Sequence, residues 1–187
     1  MSSVKSRKLR LTARLGAVAM LAALTAGCFQ PMYGEHSATG SPAVRDRLSA
    51  VEVQPIKAPK GSTEERLGIE VRNETLFSLT GGGAGAPATH RLVITLRGSR
   101  SNVIVDPTTS RPDIENYGID ANYTLIDIQT DKPVLTGVTF SRVSYDIPGQ
   151  AQRFARLRGQ RDAENRAAKV IADHISQRLA SYFASGM

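Results

Sequence analysis

The chain has 187 residues, 41% of them hydrophobic and 22% charged, which suffices for one core in one domain. Its single cysteine, Cys28, excludes an internal disulfide and a cysteine-based zinc site. The net charge of +7 is not a nucleic-acid signature, because the first 27 residues hold five bases and no acid, leaving 19 bases against 17 acids in the remainder.

In chain order, the basic stretch MSSVKSRKLRLTAR is followed by LGAVAMLAALTA, an apolar run of 12 residues. A bilayer span needs about 20 residues, so this is the leader pattern of an exported protein. Leu24-Thr25-Ala26-Gly27-Cys28 resembles a bacterial lipobox, in which small residues precede a cysteine that becomes the lipidated N-terminus; Thr25 stands where leucine is usual. A diacylglycerol thioether plus an N-acyl chain passes the two-chain threshold for stable anchoring. Phe29, rather than Asp, after that cysteine points to the outer membrane. Residues 1–27 are thus expected to be a cleaved signal peptide, 28–47 a Pro-, Gly- and Ser-bearing tether, and 48–187 a single domain.

Within that domain LSAVEVQPI (48–56) alternates as a short strand. Ser62 and Glu65 form a capping box for a helix that ends at Gly81-Gly82-Gly83, with Ile69, Leu76 and Leu79 on the expected apolar face. The glycines follow a helix rather than a strand, and no Lys-Ser/Thr comes after them, so they are not a phosphate loop. RLVITLRGSRSNVIV (91–105) alternates, with Leu92, Ile94 and Leu96 on one side and Arg91 and Arg97 on the other. Residues 106–116 have the composition of a turn. Tyr117, Ile119, Ala121, Tyr123 and Leu125 share a strand face, with a change of parity at Ile126. Asp131-Lys132-Pro133 is a tight connection to a strand over 134–147, whose expected apolar face is Val134, Val138 and Phe140, then, after a second slip, Val143 and Tyr145. From Gln152 a long helix presents Ala168, Ile171, Ala172, Ile175, Leu179, Tyr182 and Phe183, with Arg153, Arg156, Arg158, Arg161 and Arg166 crowding its first half. The fold class is α+β, in the order β-α-β-β-β-α: two amphipathic helices packed on one face of a four-stranded, mainly antiparallel sheet.

No constellation for catalysis or metal binding is present in the sequence. His36, His90 and His174 form no i,i+4 pair, and neither HExxH nor GxSxG occurs. His174 lies at the rim of the last helix's apolar face. No cofactor or metal is expected.

Four segments, in this order, resemble the lipopolysaccharide-assembly lipoprotein family: GCFQPMYG (27–34), RLGIEVRNETLFSL (66–79), ANYTLIDIQTDKPVLTG (121–137) and DAENRAAKVIADHISQRLASYF (162–183). The resemblance implies a non-enzymatic outer-membrane lipoprotein, lipid-anchored at Cys28 and facing the periplasm. It would plug and help assemble the β-barrel that inserts lipopolysaccharide, and touch that ligand during export. Arg91, Arg97 and Arg100 on a strand, with Arg111 and Lys132 in loops, are the expected contacts to its phosphates and carboxylates. An auxiliary lipoprotein of an ABC-type transporter and a small lipid-anchored hydrolase are the competing readings.

Overall fold

The computed structural model describes residues 43–105, 112–147 and 153–185, all within one compact unit, Glu35–Met187. The leader, Cys28, His36, most of the expected tether and Arg111 lie outside the described residues. The elements are α1 (Val44–Ser49), β1 (Val51–Val53), α2 (Thr63–Thr80), β2 (His90–Val105), β3 (Pro112–Asp127), β4 (Pro133–Asp146) and α3 (Arg153–Ala184).

The sheet has the order β1-β2-β3-β4. β1 pairs parallel to β2 (Val51↔His90, Val53↔Leu92), and β2, β3 and β4 form an antiparallel meander. The α+β architecture and the mainly antiparallel sheet are as the sequence predicts. α2 and α3 pack on one another, and both lie on the same side of the sheet. On that side β3 presents Tyr117, Ile119, Ala121, Tyr123 and Leu125, all buried, in register with Leu92 and Ile94 of β2. α3 meets them with Ala163, Ala167, Ala168, Ile171, Ile175, Leu179 and Phe183, also buried.

Local chemistry sets the helix ends. The Ser62 hydroxyl accepts from the Glu65 amide at 3.0 Å, and the Glu65 carboxylate accepts from the Gly61 amide at 2.6 Å, so the capping box reaches back one residue further than its usual form. α2 closes on Gly81, whose φ of 65° is left-handed and whose amide donates to the Phe77 carbonyl at 2.8 Å.

Four expectations are corrected. First, α2 does not bury Ile69, which is 57% exposed; its buried stripe is Leu67, Gly68, Val71, Thr75 and Leu79. Leu67, Val71, Thr75 and Leu79 repeat every four residues with Gly68 beside them, and neither the threonine nor the glycine registers as apolar in the sequence. Gly68 is there because a Cβ would stand 3.1 Å from the Ile56 side chain, and Thr75 is satisfied by its own i−4 carbonyl at 2.6 Å. Second, β4 has no internal slip. It runs in continuous register from Ile114↔Asp146 to Leu125↔Leu135, so Tyr145 and Val143 turn to the helices while Val138 and Phe140 point away, 73% and 65% exposed. The irregularity sits at Leu125/Ile126, where the sequence shows its change of parity.

Third, β3 starts at Pro112 rather than at 117, with the proline at the strand's first position, where a missing N–H is tolerated. Fourth, the stretch read as tether and strand contains helix α1, and only Val51–Val53 is strand. α1 is six residues long, too short for a periodicity to show. It docks by burying Leu48 and by the Arg47 guanidinium, which donates to the Phe183 carbonyl at 3.3 Å.

Candidate functional site

With both long helices on one side, no element among the described residues covers the other side of the sheet. Register places on it Arg91, Val93, Thr95, Arg97 and Ser99 of β2; Gly118, Asp120, Asn122 and Thr124 of β3; and Val138, Phe140 and Arg142 of β4. Its organising feature is a row across three strands. Arg97 is opposite Asp120, and both Asp120 carboxylate oxygens accept from one terminal nitrogen of Arg142, at 2.9 and 3.1 Å. The Arg142–Asp120 pair is half exposed, and with Arg97 beside it the row keeps one net positive charge. Arg142 also donates to the Ile119 carbonyl at 3.2 Å and lies 5.6 Å from the centre of the Phe140 ring. It can lie flat because Gly118 is beneath it; a Cβ there would stand 2.7 Å from the Arg142 side chain and from the Ser99 hydroxyl. The result is a surface with cationic heads beside two large exposed apolar side chains. That combination suits a ligand carrying both anionic and hydrocarbon groups.

The expected contact residues separate in space. Arg91 and Arg97 share the open face, six residues apart along β2. Arg91 faces Asp131 at 3.8 Å, so it stands at the β3–β4 turn that also carries exposed Lys132. Arg100, three residues beyond Arg97, has the opposite parity and pairs with Tyr117 on the helix side. There it lines a cleft of about 110 Å³ with Thr63, Glu64, Gly98, Ser99 and Tyr117. The open face thus collects Arg91 and Arg97, with Lys132 near one end, and not Arg100. Arg142 is the residue that sequence reasoning missed. Its signal was parity: it alternates with Val138 and Phe140.

Behind Arg100, charge is used to hold the helices. Glu164 of α3 is fully buried, paired to Arg66 of α2 and bonded by Gln160 at 2.9 Å. Glu115 of β3 accepts from the Tyr145 hydroxyl, and Arg156 stands 3.8 Å away. Burial, then the hydrogen bond and charge of Glu115, push the Tyr145 phenol well above its ordinary pKa. Burial raises Tyr117 and Tyr123 in the same direction. His90, half-buried edge-on against Phe183 with ring centres 5.2 Å apart, is depressed by burial, with Asp127 opposing and Arg47 adding. His174 shares a hydrogen bond with the Thr139 hydroxyl, 2.9 Å away on the helix rim. Among the described residues no cluster of His, Asp and Glu is arranged to hold a metal ion, and no helix is long and apolar enough to cross a membrane.

The family model for lipopolysaccharide assembly, LptE, matches residues 48–179. The chain belongs to the LptE family. Membership makes it an outer-membrane-associated lipoprotein of lipopolysaccharide assembly, in a family that is not enzymatic. Among solved structures, it is similar to a Caulobacter crescentus CB15 protein assigned as a lipoprotein, with 23% identity over 77% of this chain and 97% of that one and a TM-score of 0.59. Rare lipoprotein B from Shewanella oneidensis is similar at 16% identity over 72% and 96% of the two chains, with a TM-score of 0.50. At these identities the two show a shared fold. No curated protein matches the chain.

Proposed function

We propose that this LptE-family chain is anchored in the outer membrane through a lipidated Cys28, faces the periplasm, and plugs the β-barrel that inserts lipopolysaccharide, assisting the barrel's assembly. Its open sheet face touches lipopolysaccharide during export, and it performs no catalysis itself. One observation carries the ligand-contact part: an uncovered sheet face on which Arg97 and Arg142 flank Asp120 beside exposed Val138 and Phe140. Lipid A and its inner core present phosphates and carboxylates next to acyl chains, which matches guanidinium donors set beside apolar side chains. Lys132 and Arg91 extend the cationic character towards the β3–β4 turn. Arg100, on the helix side, joins the same proposed contact through a ligand that wraps past the sheet edge; Arg111, outside the described residues, is part of the proposed contact on its sequence alone. The leader and the ordered family segments support the anchor at Cys28.

Affinity purification of the chain from native outer membranes tests the plug. The reading expects a large β-barrel to accompany it in near-equal amount. Recovery with an inner-membrane ATPase complex instead would refute it.

A further inference from the structure

β4 closes one end of the sheet, and among the described residues it pairs with β3 alone. Its outer edge runs the length of a 14-residue strand, Pro133–Asp146, along which every second residue turns its N–H and C=O away from β3. Such edges are ordinarily blunted by charge or by a covering element. The other end of the sheet has both devices: β1 covers β2 at His90–Leu92, and Arg97 and Arg100 punctuate the remainder. On β4, Val134 to Phe140 contains no charged residue. Charge meets the β4 backbone only further on, where Arg142 donates to the Ser141 carbonyl at 3.0 Å and Arg166 of α3 to the Ser144 carbonyl at 3.3 Å. The two flanks of the uncharged stretch differ in chemistry. On the open sheet face stand exposed Val138 and Phe140. On the helix side Arg166, Val170, His174 and Arg178 of α3, all exposed and four residues apart, follow the strand. Arg166 lies at Ser144, His174 shares a hydrogen bond with the Thr139 hydroxyl at 2.9 Å, and the Arg178 charge acts on the Tyr123 phenol, whose ring stands beside Gly137. Arg166 is held by Asp162, whereas Arg178 has no carboxylate partner among the described residues.

A strand laid against this edge would send alternate side chains to the two flanks. Those on the open-face side would meet Val138 and Phe140, which calls for apolar residues. Those on the helix side would meet Val170 and Arg178, which calls for a carboxylate opposite the guanidinium. We propose that the β4 edge, Val134–Phe140, receives an extended segment of the barrel partner as a fifth strand, apolar towards the open face and carrying an acid towards Arg178. The inference rests on the plug reading above and adds the contact that sets plug and barrel in register. Wall strands of a closed barrel are already paired on both sides, so the segment is a loop or terminus that enters the lumen. Main-chain hydrogen bonds supply the attachment. The unlike flanks select the register, because a slip of one residue would turn the carboxylate onto Phe140 and an apolar side chain onto Arg178.

Hydrogen exchange reads a fifth strand directly. The complex purified from native outer membranes is transferred to deuterated buffer beside the lipidated chain without its barrel, and both are followed at single-residue resolution by fragmentation mass spectrometry. In the chain alone, the β4 amides bonded to β3 are protected and those between them exchange. In the complex, the intervening amides of Val134–Phe140 should slow by about a hundredfold, while the edge of β2 beyond Leu92 is unaltered. Arg178→Glu should speed those amides in the complex by about tenfold, and Lys60→Glu, an equal charge change at an exposed position before α2, should not. Free exchange of the intervening amides with the barrel present, equal slowing along β2, or no response to Arg178→Glu would each overturn the inference and leave the plug standing. Slowing in the barrel-free chain that grows with its concentration would give the edge to a second copy and overturn it as well. Absence of the barrel from the purified material would remove the plug reading, and this inference with it.

Discussion

Replacing Leu67 or Ile69 of α2 with alanine asks which face of that helix carries the fold. Leu67 is 1% exposed and its Cδ2 lies near the backbone of Gly98, beneath the sheet's Arg100 end, whereas Ile69 is 57% exposed. Leu67→Ala removes three buried carbons, about 2.4 kcal/mol of transfer free energy at about 0.8 per methylene. An unrelaxed cavity adds about 1–2 kcal/mol, giving a loss of about 3–4 kcal/mol. Ile69→Ala loses less than half of a similar transfer term, leaves no enclosed cavity, and regains a few tenths in helix propensity, for a net cost of about 0.5 kcal/mol. Urea unfolding followed by far-ultraviolet circular dichroism resolves the two, because the slope should be unchanged and the midpoint should move for Leu67→Ala only. Equal losses, or a larger one for Ile69→Ala, would refute the placement of α2 and the four-residue stripe on which it rests.

Further outcomes are expected. Cys28→Ser should abolish lipidation and release the chain from the membrane fraction; palmitate incorporation into that variant would contradict the anchor. Charge reversal at Arg97 together with Lys132 should weaken lipopolysaccharide binding by about 1–3 kcal/mol at low salt and leave the melting midpoint unchanged, with equal affinity removing both residues from the contact. Gly137→Ala would place a Cβ 2.4 Å from the Tyr123 ring, so it should cost about 1–3 kcal/mol in thermal unfolding, and a neutral result would show that the ring is free to move. The Tyr145 phenol is raised in the folded state, so its contribution is intact below the ordinary tyrosine pKa of about 10 and is lost as pH climbs through the higher folded value. Tyr145→Phe should therefore flatten the alkaline fall in stability, and an unaltered pH profile would exclude the buried Tyr145 phenol as its source.

How much of this was legible in the sequence depended on how many constraints each element carries. β3 is buried on its helix side from Tyr117 to Leu125, and five apolar or aromatic residues at alternate positions announce that face unambiguously. α3 is long enough for its stripe to repeat, and Ile171, Ile175 and Leu179 are buried as their spacing predicts. β4 is an edge strand whose inner face includes Ser141 and Thr139, while its outer face carries Val138 and Phe140, so hydrophobicity there points the wrong way and only pairing with β3 assigns the faces. α2 hides its stripe in Gly68 and Thr75, whose roles come from a close approach to Ile56 and a local hydroxyl bond. At the candidate site, the alternation of β2 placed Arg91 and Arg97 together. The Arg97–Asp120–Arg142 row was out of reach because it joins three strands through register, and its floor, Gly118, has no sequence signature apart from that register.

Depleting the chain in its native cell and assaying lipopolysaccharide at the surface tests the central claim most directly. Loss of surface lipopolysaccharide, with the barrel protein no longer reaching its mature form, is the result the account predicts. Normal surface lipopolysaccharide after complete depletion would contradict it.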